Sequence, residues 1–276
     1  MDQLTPGVVR SLLDAHGVRP SRALGQNFLT DPNVARRIVR LSGIGADDRV
    51  LEIGPGIGSL TLALAETAGR VVALEIDRYL LPVLDEVVGA LGNVEVVHGD
   101  AMDAHYPALL GEDRWVLVAN LPYNVATPLL ARLLTDVPQL ARMVVMVQRE
   151  VAERLAAPPG TRACGAISVK VAYHCTARVL AQVPPSVFTP RPNVDSTVVA
   201  FDRRPAPPVA LPGAPEAMFT LARAGFGQRR KTLRQSLRAV LGDGAEPVLV
   251  AAGIDPTARA ETLTLDAWAA LTRAAS

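Results

Sequence analysis

The tetrapeptide Asn120-Leu121-Pro122-Tyr123 holds residue types suited to chemistry on the exocyclic amino group of a purine. Such an amine is a poor nucleophile because its lone pair is delocalised into the ring. The Asn120 side-chain oxygen and a backbone carbonyl near Pro122 are placed to accept its two hydrogens, which favours a pyramidal nitrogen with a free lone pair. Proline stiffens the turn and holds that carbonyl in place. Tyr123 offers a face on which an extruded base can stack, worth about 1–3 kcal/mol. The attack is then an in-line displacement that needs no metal or strong base, and positioning supplies most of the catalysis. The tetrapeptide is common in unrelated chains, so its meaning depends on where the fold puts it.

A second constellation surrounds the run Val50-Leu-Glu-Ile-Gly54-Pro55-Gly56-Ile57-Gly58-Ser59-Leu60-Thr61. Its glycines allow a ligand to approach the backbone where a side chain would collide. The spacing is GxGxG, not GxGxxG, and no Lys-Ser/Thr follows to make a phosphate loop. Taken alone it equally describes a tight turn. Glu75 lies about twenty residues beyond Gly54, where a carboxylate can accept ribose hydroxyls. Asp100 ends the next strand, within reach of an adenine amino group. Either acid could simply cap a helix. Together they argue for an adenosyl ligand with little need of a phosphate site. S-adenosylmethionine, cationic and without phosphate, is such a ligand. A dinucleotide would use the free helix N-terminus that Pro55 and this spacing do not clearly offer.

The elements that must position these residues alternate along the chain. Short apolar strands are expected at 49–54, 71–76, 94–97, 115–119 and 143–147. Helices are expected between them at 59–68, 78–88 and 127–134, with another at 150–156. Continuous apolar strands spaced by helices mean a parallel sheet covered on both faces. Residues 165–174 are ambiguous in period and read as helix. Two closing strands, 178–183 and 197–201, are expected antiparallel at one edge. Before the sheet come a helical stretch over 4–15, an irregular basic piece over 19–29, and a helix start at Asp31-Pro32. Five prolines in the thirteen residues from Arg203 to Pro215 make a linker, and the remainder offers only helical patterns. The expected domains are therefore an extension over 1–30, a catalytic α/β domain over 31–204, a linker over 205–215 and a helical domain over 216–276.

Composition narrows the classes. The 276 residues are 49% hydrophobic and 20% charged, enough to bury a substantial core. The net charge is +1, and nearly all basic charge is arginine, with Lys170 and Lys231 the only lysines. Cys164 and Cys175 have no disulfide or zinc spacing, and His16, His98, His105 and His174 have no ligand spacing, so no metal is expected. No leader and no membrane-length apolar run is present. A cytoplasmic, monomeric protein is the expectation.

The chain resembles the dimethyladenosine transferases that modify small-subunit (16S) ribosomal RNA. The resemblance spans almost its whole length. It rests on Leu24-Gly-Gln-Asn-Phe-Leu29, Leu51 to Thr61, Glu75-Ile-Asp77, Gly99-Asp100, Asn120-Leu-Pro-Tyr-Asn-Val-Ala-Thr-Pro128, Phe188-Thr-Pro-Arg-Pro-Asn-Val-Asp-Ser196 and Gly225-Phe-Gly-Gln-Arg-Arg-Lys-Thr-Leu233. It implies a Rossmann-like S-adenosylmethionine-dependent methyltransferase fold, a seven-stranded mostly parallel sheet with a small all-helical C-terminal domain. It further implies that Asn27 and Leu29 contact the cofactor together with Gly54, Gly56, Glu75, Asp100 and Asn120. Phe188, by itself more typical of a core aromatic, would stack the target base opposite Tyr123, and the prolines around it suggest a rigid exposed loop. The implied substrate is a pair of adjacent adenosines in the loop of the 3′-terminal hairpin of 16S rRNA, each dimethylated, on an immature small subunit.

Arg223, Arg229, Arg230, Lys231, Arg234 and Arg238 fall within sixteen residues, with no acid between Ala217 and Gly242. A charge run is usually a solvated helix face, but this one lacks compensating acids in sequence and is expected to bind RNA phosphates. Three other readings compete. A resistance-type adenine methylase of large-subunit (23S) rRNA shares the glycine turn and the Asn-x-Pro-Tyr site, although Thr127-Pro128 and the basic motif favour the small subunit. A non-catalytic RNA-binding assembly or transcription factor should have lost Glu75, Asp100 or Asn120. A DNA adenine methylase is compatible with the chemistry alone.

Overall fold

The computed structural model describes residues 4–21, 23–228 and 230–276. Local signals in the sequence are realised directly in the helix before the sheet, Pro32–Ser42 (α2). The Asp31 carboxylate accepts the backbone N–H groups of Asn33 and Val34, Pro32 opens the helix, and Gly43 closes it in the left-handed conformation at φ 68°. Upstream lie the helix Pro6–Ala15 (α1) and a two-residue strand, Phe28–Leu29 (β1).

The main sheet strands are β2 (Arg49–Ile53), β3 (Arg70–Glu75), β4 (Val94–His98), β5 (Trp115–Asn120), β6 (Leu140–Gln148), β7 (Cys175–Val183) and β9 (Ser196–Arg203). They run in the order β4-β3-β2-β5-β6-β9-β7. The pairs β2–β3, β3–β4, β2–β5 and β5–β6 are parallel, and β9 pairs antiparallel with β6. The order of the parallel strands reverses between β2 and β5. A doubly wound sheet opens a crevice there, outside the carboxyl ends of its strands. Both turns singled out above, at Gly54 and at Asn120, end those two strands.

Alternate strand residues Val50, Val71, Val118 and Val144 pack with Ile38 and Val39 of α2 and with Leu60 and Leu64 of α3 (Ser59–Ala65). A second cluster joins α1 to α4 (Leu81–Val88) through Val9, Leu12, Leu84 and Val87, with Phe28 and Ile57 in it. Burying such side chains contributes about 1.5–3 kcal/mol each, so the strand ends that carry the site are held by a close-packed floor. The remaining crossover helices are α5 (Tyr106–Leu110), α6 (Ala126–Asp136) and α7 (Arg149–Ala156). The ambiguous stretch forms α8 (Ala166–His174), and a two-residue strand, β8 (Phe188–Thr189), pairs antiparallel with β1.

The compact units divide the chain differently from the domains expected from sequence. One unit comprises Met1–Ala152 with Arg178–Asp202, and the other Glu153–Ala177 with Arg203–Ser276. The physical reason lies in the core of the second unit. Cys164, Val169 and Tyr173 are buried in one cluster with Met218, Phe219, Leu221 and Trp268, so α8 belongs with the C-terminal helices. Those helices are α9 (Glu216–Gly227), α10 (Leu233–Ser236), α11 (Arg238–Leu241), α12 (Ala245–Ala251) and α13 (Leu265–Ala275). The proline-rich run also contributes partly buried Val209 and Leu211 to that core.

Candidate active site

A cleft of about 1140 Å³, its open mouth included, lies at the carboxyl ends of the parallel strands. Asn27, Leu29, Gly54, Gly56, Glu75, Asp100, Asn120, Leu121, Pro122 and Tyr123 all line it. Ten residues chosen from five separate stretches of sequence thus converge on one site.

One half of the cleft is acidic. Glu75, only 3% exposed, accepts the backbone N–H of Gly56 at 3.0 Å on one oxygen and that of Asp77 at 2.9 Å on the other. Burial nevertheless raises its pKa, against the pull of those hydrogen bonds. Gly56, at φ 61°, occupies a conformation side chains avoid, and a Cβ there would lie 3.0 Å from the Phe28 ring. Asp100 accepts the Met102 N–H at 2.7 Å through one oxygen; no described residue donates to the other.

Glu52, on β2, was not singled out from the sequence and belongs to this half. It is 1% exposed and lines the cleft, and its Oε2 has no hydrogen-bond partner among the described residues. Burial, with nearby Glu75 adding to it, pushes its pKa up to about 8. A charge in the otherwise apolar run Val50-Leu-Glu-Ile was the signal that could have found it. Two buried carboxyls at a floor made of glycine backbone fit a ligand that is cationic and rich in hydroxyl groups.

The other half surrounds Asn120. Its Nδ2 donates to the Asn27 carbonyl at 3.3 Å, which leaves Oδ1 as an acceptor that no described residue uses. The Pro122 carbonyl receives the N–H groups of Ala126 and Val125 at the start of α6. The Leu121 carbonyl receives none from a described residue, so the acceptor beside Pro122 is that of Leu121. The Tyr123 hydroxyl and Ser196 Oγ are 2.8 Å apart, and burial raises the Tyr123 pKa while the hydrogen bond opposes it. Gln26 donates to Asp77 at 2.7 Å and Asn124 to the Ala23 carbonyl at 3.1 Å. Residues 23–27 are therefore tied to both halves. Gln26, Asn124 and Ser196 were not predicted as site residues, because their partners lie 51, 101 and 73 positions away.

Phe188 departs from expectation. It is 3% exposed, stands opposite Leu29 in the β1–β8 ribbon, and sits in the core cluster with Val183 and Val198. It does not line the cleft. Its side chain is taken up by the apolar cluster that also holds Leu60, Val144 and Val198.

The basic cluster lies in the second unit. Arg223, Arg230, Lys231, Arg234 and Arg238 are exposed, and Arg229 lies outside the described residues. The expected lack of compensating acids holds only in part. Folding brings Glu246 to 3.4 Å from Arg234 and Asp243 to 2.6 Å from Arg238. Such exposed pairs are worth about 0–1 kcal/mol, so both arginines can exchange their partners for phosphates. Among the described residues no His, Cys, Asp or Glu group could hold a metal ion, and no helix is long and apolar enough to cross a membrane.

Comparison with known proteins supplies an independent line. Residues 18–275 match the family model described as ribosomal RNA adenine dimethylase. The ribosomal RNA small subunit methyltransferase A of Pelotomaculum thermopropionicum is 47% identical over 97% of this chain and 95% of its own. That of Kineococcus radiotolerans is 49% identical over 92% of this chain and 86% of its own. A dimethyladenosine transferase structure from Plasmodium falciparum superposes with a TM-score of 0.71 at 25% identity, covering 88% of this chain and 95% of that one. The 23S rRNA methyltransferase ErmE superposes at 0.67 with 26% identity, over 90% and 99% of the two chains. With its cleft, its Asn-Leu-Pro-Tyr turn and a family match over nearly its whole length, the chain belongs to the ribosomal RNA adenine dimethylases.

Proposed function

We propose that this protein transfers methyl groups from S-adenosylmethionine to the N6 amino groups of two adjacent adenosines in the loop of the 3′-terminal hairpin of 16S rRNA, within the small ribosomal subunit. The observation that carries the chemistry is the Asn120 amide, whose bond to the Asn27 carbonyl leaves Oδ1 free as an acceptor beside the Leu121 carbonyl. These two acceptors take the two hydrogens of an adenine amino group and hold its nitrogen pyramidal. Tyr123 stacks the extruded base, and a loop adenine costs less to extrude than a paired one.

The cofactor supplies a methyl group on a sulfonium sulfur. Glu75 accepts hydroxyl hydrogens, Asp100 takes an amino group through its unused oxygen, and Glu52 favours positive charge nearby. Asn27 and Leu29 close the cleft over it. The attacking nitrogen becomes an ammonium and releases its proton to water. Catalysis comes from fixed acceptors and alignment.

The small-subunit address rests on the relatives, whose name specifies that subunit and which match nearly the full chain at 47–49% identity. The likeness to ErmE is weaker, at 26%. Arg223, Arg230, Lys231, Arg234 and Arg238, together with Arg229, contact phosphates in this reading. The protein acts as a cytoplasmic monomer. Incubation of the protein with methyl-labelled S-adenosylmethionine and each isolated subunit tests the reading. Dimethyladenosine in small-subunit RNA is the expected product, and label confined to large-subunit RNA overturns the assignment.

A further inference from the structure

The loop between β8 and β9 lies in a run that carries the family resemblance, in which Phe188 alone was given a role, and both of its ends are fastened beside the Asn120 turn. At one end Thr189 pairs with Phe28, the neighbour of Asn27, whose carbonyl holds the Asn120 amide. At the other end Ser196 Oγ meets the Tyr123 hydroxyl at 2.8 Å, and the Asp195 carbonyl accepts the Arg149 N–H at 3.0 Å. Residues 190–194 therefore bridge two anchors on cleft-lining residues, Phe28 and Tyr123, without lining the cleft themselves.

Charge sets that bridging loop apart from the cofactor half. The carboxylates that line the cleft, Glu52, Glu75 and Asp100, all end or occupy β2, β3 and β4. The three segments that meet at the Asn120 turn, residues 15–30, 115–135 and 184–194, contain no acid. Arg191 is the only charged residue between Arg178 and Asp195. It is exposed and makes no hydrogen bond or ion pair with a described residue. Arg149, beside the C-terminal end of the same loop, differs: it lies 3.7 Å from Asp195. Pro190 and Pro192 flank Arg191 and restrict its backbone to extended conformations, which lowers the entropy lost when its guanidinium binds. Val194, 43% exposed, adds an apolar surface on the same loop.

We propose that Pro190–Val194 is a phosphate-reading loop beside the target site, with Arg191 binding the RNA backbone next to the extruded adenosine. Arginine suits this task because its planar fork matches phosphate oxygens in pairs. The inference rests on the RNA methyltransferase reading and adds a contact, distinct from the basic cluster of the second unit, that fixes the register of the strand at the cleft.

Full-length parent, Arg191→Gln and Arg191→Lys proteins are compared on small ribosomal subunits at several salt concentrations, with cofactor affinity measured separately by calorimetry. Arg191→Gln is expected to raise the KM for the subunit about five- to tenfold and to make the log–log salt slope shallower by about 0.7, the increment for one phosphate on a single strand. Cofactor affinity stays at the parent value, and Arg191→Lys recovers the slope but only part of the KM. A Gln variant with the parent's KM and slope overturns the proposal, as does a fall in kcat with the slope unchanged. A parent that methylates no RNA overturns the functional reading itself, a result distinct from a working parent with an indifferent Arg191.

Discussion

The two halves of the cleft are assembled by different means. The cofactor half comes from the ends of three adjacent parallel strands within residues 49–100, where the glycine turn and the acids Glu52, Glu75 and Asp100 follow from local chain order. The target half draws residues 23–29, 120–124 and 188–196 together through side-chain bonds that span up to 101 positions and a strand pairing, Phe28 with Thr189, that spans more. One half holds the three carboxyls that line the cleft, and the other has Asp195 as its one acid, beside Arg149, and an exposed arginine. A cationic cofactor and a polyanionic substrate thus meet a divided surface, each on the side that suits its charge.

Substitutions test that division, beginning with the strongest. Phe188→Ala removes a core aromatic and is expected to destabilise the protein by about 3–5 kcal/mol, read from thermal or denaturant unfolding. Phe188→Leu should recover most of that stability. A Leu variant that is stable but has lost RNA affinity would instead return Phe188 to the target half as a stacking wall.

Glu52 tests the acidic half through pH. Its carboxyl is pushed from 4.5 to about 8, so the native state holds a proton that the unfolded chain releases. Stability of the ligand-free protein therefore falls as pH rises from about 4.5 to about 8. Glu52→Gln should remove this slope, so that its stability gain over the parent grows as pH approaches 8. The same variant should lose the rise in cofactor affinity that ionisation gives the parent over that range. Parallel pH–stability curves for the two proteins would contradict the assignment.

Tyr123→Ala should weaken RNA binding by about 1–3 kcal/mol while leaving cofactor affinity intact. Tyr123→Phe, which keeps the ring and loses the Ser196 bond, should cost less than a third as much in KM. The smallest effect is expected from the second unit. Replacing Arg230 and Lys231 by Gln should flatten the salt slope by about 1.4, without altering methyl transfer at saturating RNA.

Legibility followed the same division. The succession of strands and helices, the glycine turn and the capped α2 were readable because each depends on near neighbours in sequence. Asn120 and Tyr123 were readable as residue types, and their convergence with Gly54, Glu75 and Asp100 on one cleft agrees with that reading. Glu52 was overlooked because a strand interior was read as packing alone. Gln26, Asn124 and Ser196 act through distant partners that no spacing reveals. The compact units group residues 153–177 with the C-terminal helices for a related reason: burial against Phe219 and Trp268 is long-range, whereas the proline run at 203–215 is local.

The central claim is that Asn120 presents a fixed acceptor to the adenine amino group. Asn120→Ala tests it most directly, in an assay that follows dimethyladenosine formation in small-subunit RNA alongside separate measurements of RNA and cofactor binding. The account predicts a fall in kcat of about 10²–10³-fold, the cost of losing one preorganised electrostatic contact, with the affinity for the subunit retained. Methyl transfer at the parent's rate in that variant would contradict it.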